Sequence, residues 1–138
     1  MVCMRLVTVG LTVLKSSMIR IDAPIMPVAW TRPQFDSRTK KVYNTKRYEQ
    51  FKDELGYYAR LAMKGHAPFA GEIKLHADFY KPKPKKSKHV SFIGDVDRYL
   101  NAVLDSLIGI CYLDDRQVVQ ISGAKIFGKP HIEIELEE

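Results

Sequence analysis

The chain has 138 residues, 22 Lys plus Arg against 16 Asp plus Glu, and a formal charge of +6. That length, with 46% apolar residues, describes one globular domain with a single core and excludes a disordered or collagen-like chain. No apolar run reaches the ~18 residues of a membrane span, and the two separated cysteines, Cys3 and Cys111, exclude a disulfide framework or a cysteine zinc site, so a cytoplasmic protein is expected.

Met1 to Ser17 reads as an N-terminal extension outside the fold, with an early Arg5, a short apolar stretch from Leu6 to Leu14, and no small-x-small cleavage site behind it. The domain is expected over residues 18–138. Ile19-Arg20-Ile21-Asp22 alternates with a period of two and predicts a short strand. Pro24, Pro27 and Pro33 break regular structure, so residues 24–44 are expected as a long loop, aromatic and basic through Trp30, Arg32, Arg38, Lys40, Lys41 and Tyr43. Tyr48, Phe51, Leu55, Tyr58 and Ala62 recur at helical spacing and predict a helix from about Lys46 to Lys64, capped by Thr45 and stopped by Gly65.

Ile73, Leu75, Ala77 and Phe79 alternate with polar neighbours and predict a half-buried strand. Five lysines and two prolines in residues 81–88 then make a solvated loop. Val96, Tyr99, Leu100, Val103, Leu104 and Leu107 form one apolar stripe, the signature of a second helix ended by Gly109. Residues 117–127 and 131–136 read as two closing strands. The order is β-α-β-α-β-β: an α+β single domain, a mixed sheet with two main helices covering one side.

The charge is unevenly spread: +2 over residues 1–30, +9 over residues 31–90 and −5 over residues 91–138. A basic middle suits a polyanion, with Arg32, Lys40, Lys41, Lys83, Lys85, Lys86 and Lys88 as candidate DNA-backbone contacts. A plain DNA-binding module has no use for the acidic end, whereas a metal-dependent nuclease needs both. Asp95 and Asp97 flank the start of the second helix, and Asp114-Asp115 follow it. One aspartate at a helix N-terminus is accounted for by capping and the helix dipole, and an Asp-Asp pair by a turn. The pairs together also suit a divalent cation, because Mg²⁺ takes one or two carboxylates along with water and phosphate oxygens. Asp105 sits two turns beyond Asp97, roughly 12 Å along a helix axis, too far to share one ion with it. The four histidines show no metal-ligand spacing, and Cys111 reads as a small core residue.

Gly94-Asp95-Val96-Asp97, Ala102-Val103-Leu104-Asp105-Ser106-Leu107, and Asp114-Asp115-Arg116-Gln117-Val118-Val119 together resemble the RusA family of Holliday junction resolvases. The family pattern is D-x-D-N-x-x-K-x-x-x-D-x-L, a short gap, D-D-x-Q-[VI] and a later Lys, matched here by Lys125. Pro27 to Pro33, with Arg32, is similar to the family's proline- and arginine-containing loop. The resemblance spans roughly residues 18–137. It implies a homodimeric endodeoxyribonuclease dependent on Mg²⁺, with Mn²⁺ as a substitute. Such an enzyme resolves four-way DNA junctions by paired nicks in recombination and repair, with no small-molecule substrate and no membrane partner. By motif position Asp95, Asp97 and Asp115 correspond to the family's catalytic, metal-holding carboxylates, and Asp114 is a weaker candidate.

One departure matters. The Asn after the second Asp is Arg98 here, and the family's catalytic Lys three residues on is Asn101. Positions i and i+3 neighbour each other on a helix, so Arg98 is expected to face the phosphate in place of that Lys, with Lys125 as the alternative donor. The alternatives to a junction resolvase are a nuclease for other branched DNA and a junction-binding protein impaired in catalysis.

Overall fold

The computed structural model describes residues 2–9, 12–86, 88 and 91–138, with side chains from Ser17 onward. His89 and the side chain of Cys3 lie outside the described residues. Seven strands and two helices are present among them: β1 (Val2–Val9), β2 (Thr12–Ala23), β3 (Gln34–Asp36), β4 (Lys41–Tyr43), α1 (Lys46–Met63), β5 (Ile73–Lys81), α2 (Val96–Leu107), β6 (Val118–Phe127) and β7 (His131–Glu137). The main sheet has the order β1-β2-β7-β5-β6, mixed because β5 and β6 run parallel while every other pair is antiparallel. This is the expected α+β domain.

Period-two burial builds the sheet. Ile19, Ile21, Ile73, Leu75, Ala77, Phe79, Ile132, Ile134 and Leu136 all turn to one face and are fully or almost fully buried. The two helices cover that face with Tyr48, Phe51, Leu55, Tyr99, Val103 and Leu107. The opposite face carries Arg20, Asp22, His76, Asp78, Glu133 and Glu135, tied by ion pairs such as Arg20 to Glu135 at 3.6 Å and His76 to Asp78 at 3.0 Å. Ser122 completes that surface network with 2.6 Å to His76 Nδ1. No helix among the described residues is long and apolar enough to cross a membrane.

Local chemistry sets the helix ends. Thr45 caps α1 by accepting the Tyr48 N–H at 3.3 Å, as its position implied. Lys64 and Gly65, both at positive φ, turn the chain out of that helix. Cys111 is fully buried, and burial pushes its thiol up to about 12, which keeps it protonated and inert near neutral pH.

Two segments differ from the sequence reading. Residues 1–17 were expected outside the fold, yet β2 begins at Thr12 and its first eight residues pair with β1, Val2 opposite Ile19 and Val9 opposite Thr12. Val2, Val7, Thr8, Val9, Thr12 and Val13 supply β-branched strand formers, and β7 offers an antiparallel edge to Met18–Ala23 from which the hairpin grows. Within the expected loop over residues 24–44, β3 and β4 form a small hairpin. It is closed by Lys40 at φ 55°, by the Arg38 N–H donating to Asp36 at 2.9 Å, and by Tyr43 O–H donating to Gln34 at 3.0 Å.

The β5–α2–β6 segment is a crossover between parallel strands. Its helix therefore begins beyond the carboxyl end of β5 and returns the chain to the amino end of β6, and helix starts beyond strand carboxyl ends are where sheets of this kind receive ligands.

Candidate active site

Asp95 is the N-cap residue of α2, with extended backbone at φ −80° and ψ 140°, but its side chain makes no capping hydrogen bond. An aspartate at this position ordinarily accepts an N–H of the first turn. Here the carboxylate is exposed, and so is that of Asp97 in the same turn; neither has a side-chain partner among the described residues. The positive end of the helix dipole favours two negative groups there.

The loop ahead of Asp95 is held from three directions. Lys125 Nζ, reaching up from β6, donates to the carbonyls of Phe92 at 2.9 Å and Gly94 at 2.5 Å. Tyr99 O–H donates to the intervening Ile93 carbonyl at 2.9 Å, and Lys81 Nζ donates to the Tyr99 oxygen at 3.0 Å. Three consecutive carbonyls are thereby engaged by side chains. Gly94 has φ +109°, and a Cβ there would stand 2.8 Å from the Tyr99 ring, so both backbone and space require glycine.

The Lys125 ammonium is thus spent on carbonyls of this loop, which makes it a support for Asp95. Lys125→Met should slow cleavage by about 10- to 100-fold, as for other residues that orient a ligand, while junction binding in a gel-shift assay stays near wild type. A loss of junction affinity with an unchanged rate in the bound complex would instead give Lys125 the phosphate contact.

Several basic candidates gather around this helix start. The Trp30 N–H donates to the Arg98 carbonyl at 2.9 Å, pinning the proline-rich loop to the first turn of α2 and bringing the exposed Arg32 into its neighbourhood. Trp30 itself is partly buried against the core. The Arg98 guanidinium is exposed and has no partner among the described residues, and Asn101 is exposed one turn on. Lys83, Lys85, Lys86 and Lys88 are all exposed on the segment after β5. Between that segment and the Asp95 loop runs an open groove of about 460 Å³ lined by Lys81, Pro82, Pro84, Lys86, Phe92 and Ile93. Lys40 and Lys41 are exposed on the β3–β4 hairpin.

The second acidic pair divides into two roles. Asp114 caps a single 3-10 turn over Asp115–Gln117, accepting the Arg116 N–H at 2.9 Å and pairing with the Arg116 guanidinium at 2.8 Å. Arg116 holds the Asp114 carboxyl well below the usual range, at about 2. Gln117 accepts the Leu113 and Asp114 N–H groups through Oε1 and donates to the Phe69 and Gly71 carbonyls through Nε2, fastening the turn to the entry of β5. Asp115 is exposed on the same turn; its carbonyl accepts the Val118 N–H at the turn's end, and its side chain adjoins that of Asp114. Asp105 accepts the Tyr48 hydroxyl at 2.7 Å and pairs with Lys52 at 3.5 Å, so it joins α2 to α1. Burial, followed by that bond to Asp105, pushes the Tyr48 hydroxyl pKa up.

The topology separates Asp115 from the other two aspartates. Gly123 lies against Leu100, and Lys125 reaches the carbonyl of Gly94, so β6 runs back along α2 and Asp115, ahead of β6, stands at the helix's far end. The 12-residue helix is about 18 Å long at 1.5 Å per residue. Accordingly, among the described residues no three of His, Cys, Asp and Glu are grouped to hold a metal ion. Asp95 and Asp97 still suit Mg²⁺, which takes one or two carboxylates and fills its other positions with water and phosphate oxygens.

Sequence reading missed Tyr99 and Lys81, which look like an apolar-stripe member and a solvated lysine. The only signal was Gly94 beside a large aromatic five residues on. Gln117 stood in the recognised motif, but its bonds to Phe69 and Gly71 join residues 46 and more apart.

A family model described as endodeoxyribonuclease RusA matches residues 24–137. The β1–β2 hairpin lies ahead of that region. No curated protein matches the chain.

Proposed function

Because the chain belongs to the RusA family of endodeoxyribonucleases, we propose that it is a Mg²⁺-dependent, homodimeric enzyme that resolves four-way DNA junctions by paired symmetric nicks. The observation that carries the metal-dependent reading is the pair of unspent carboxylates, Asp95 and Asp97, on a clamped helix start. Mg²⁺, for which Mn²⁺ would substitute, activates water and offsets charge on the leaving oxygen when bound beside a scissile phosphate. Asp95 and Asp97 would hold it. Arg98, on the same turn, donates to a phosphate oxygen in the role the family gives to its Lys. Lys125, Tyr99 and Lys81 keep Asp95 in position.

DNA approaches on the side of the helix start. Arg32 and Lys83, Lys85, Lys86 and Lys88 grip phosphates beside the site, and Lys40 and Lys41 add to the grip from the hairpin. The acidic outer face of the sheet, with Asp22, Asp78, Glu133 and Glu135, repels phosphate and is left uncovered. A two-fold dimer addresses two symmetric strands of a junction. It also offers the one way for Asp115 to join the site, since within a subunit that residue stands a helix length away; Asp115 of the partner subunit would complete the carboxylate set. The protein acts on DNA in the cytoplasm.

Asn101, at the position of the family's catalytic Lys, favours one other reading, a junction-binding protein impaired in catalysis. A single assay separates them: a synthetic four-way junction and a linear duplex are each incubated with protein, with Mg²⁺ or with chelator. Paired symmetric nicks with junction and Mg²⁺ alone are expected. Binding without nicks would sink the enzyme reading, and cutting of the duplex would replace it with a less selective nuclease.

A further inference from the structure

The β3–β4 hairpin forms a two-stranded sheet of its own, apart from the main sheet. Its register sets Gln34 opposite Tyr43, Phe35 opposite Val42 and Asp36 opposite Lys41. Side chains alternate between the faces of a strand, so Phe35 and Val42 share one face while Gln34, Tyr43, Asp36 and Lys41 share the other. The second face is bonded at its root, since the Tyr43 hydroxyl donates to Gln34 at 3.0 Å. The first has no such cover: Phe35 is 63% exposed and Val42 68%, and neither joins the core. A two-stranded hairpin is marginal by itself in water, and an uncovered apolar pair leaves this one without the packing that would stabilise it.

The charge around this pair is one-sided. From Gln34 to Tyr43 the hairpin carries Arg38, Lys40 and Lys41, all exposed, against Asp36, whose carboxylate accepts the Arg38 N–H at 2.9 Å. Both roots of the hairpin are held. The Trp30 N–H on the Arg98 carbonyl ties its entry to the first turn of α2, and Thr45, just past Tyr43, caps α1. The chain from Trp30 to Phe35 spans at most about 18 Å, or about five nucleotide steps along a DNA strand. The apolar pair therefore stands close to the Asp95 turn.

We propose that Phe35 and Val42 contact unstacked bases at the branch point of the DNA, with Arg38, Lys40 and Lys41 on the flanking phosphates, and that this apolar contact favours a branched substrate over duplex. The contact rests on the branched-DNA reading above. In an intact duplex each base is covered by its neighbours, and the strands present phosphates that cations bind whether or not a branch is near. At a branch the stack is interrupted, and an uncovered base offers its flat face to an aromatic ring. Apolar side chains also wedge between base steps where a protein bends or opens DNA. A protein partner is the poorer match, because two side chains ringed by cations lack the wide, charge-poor centre of a protein interface.

The test uses a synthetic four-way junction with 2-aminopurine beside the branch point, in chelator so that nothing is cut. Saturating protein should raise the 2-aminopurine fluorescence, and a variant carrying both Phe35→Ser and Val42→Ser should not. That variant should lose about 10-fold or more in junction affinity by gel shift, with duplex affinity unchanged. Lys40→Ala with Lys41→Ala should instead weaken both and lower the salt dependence. Phe35→Trp keeps an aromatic face and should bind as wild type does. Because Phe35 and Val42 are exposed, the circular dichroism spectrum should be retained throughout. A double serine variant that keeps the fluorescence rise and the junction preference overturns the proposal, as does a wild-type protein that binds junction and duplex alike. A change of oligomeric state in that variant would assign the pair to a protein contact and overturn it too. A protein that grips junctions through Phe35 and Val42 yet nicks none with Mg²⁺ supports this contact and sinks only the nuclease reading.

Discussion

Asp95→Asn and Asp97→Asn should each lower Mg²⁺-dependent junction cleavage by about 10³-fold or more, equivalent to ~4 kcal/mol of lost transition-state stabilisation. Each substitution keeps the shape of the side chain and removes the charge that would hold the cation. Fold and junction affinity should survive, since neither carboxylate bonds another described residue. Affinity should even rise at low salt, because each variant removes a negative charge that faces phosphate. Single-turnover rates with saturating protein, set beside gel-shift affinities, measure both effects. Residual cleavage above a tenth of wild type in Asp95→Asn would remove this helix start from the chemistry.

The second large effect is a restoration. Asp95→Asn and Asp115→Asn dimers should each be inactive alone, yet a mixture allowed to exchange subunits should recover. In a heterodimer one site collects both substitutions, while the other holds an intact Asp95 facing an intact Asp115 of the partner subunit. With half the dimers mixed and one working site in each, nicking should return to about a quarter of wild type. Those nicks should fall singly, since each heterodimer has one competent site. A mixture as inactive as its parents would mean that Asp115 acts within its own subunit or has no part in the reaction. The folded arrangement favours the first outcome, because β6 carries Asp115 to the far end of α2 from Asp95.

The two acidic pairs look alike in sequence and separate in space. Asp95 and Asp114 are both aspartates at the start of a helical turn, and by spacing alone each is a cap candidate. Asp114 does cap, with its carboxylate bound by Arg116 two residues on, a local arrangement that the sequence nearly spells out. Asp95 does not cap, and the loop before it is held by Lys125, 31 residues from Gly94, and by Tyr99 on the helix itself. Asp105 shows the converse. Helix geometry alone removed it from a site shared with Asp97, and its bonds to Tyr48 and Lys52 give it a bracing role between the helices.

Arg98 and Asn101 illustrate a middle case. Their exposure on one helix face follows from the apolar stripe of Tyr99, Val103 and Leu107, which commits the other side of α2 to the core. The link from the Arg98 carbonyl to the Trp30 N–H crosses 68 residues and could not be read from either segment. That link is what brings the proline-rich basic loop to the aspartates.

By itself the sequence determined the domain class, the positions of both helices, the inward face of β2 and β5, and the family, because periodicity and motif spacing are local and survive in one dimension. The tertiary structure alone decided that Trp30 joins the proline-rich loop to the first turn of α2, and that Asp22, Asp78, Glu133 and Glu135 share the outer face of the sheet with Arg20 and His76. It decided as well that Lys125 braces the Asp95 loop, that Asp115 stands apart from Asp95 and Asp97, and that β6 is the last strand of the sheet among the described residues. The placements of Lys125 and Asp115 follow from the parallel pairing of β5 with β6, a non-local choice that sets which ends of the elements meet.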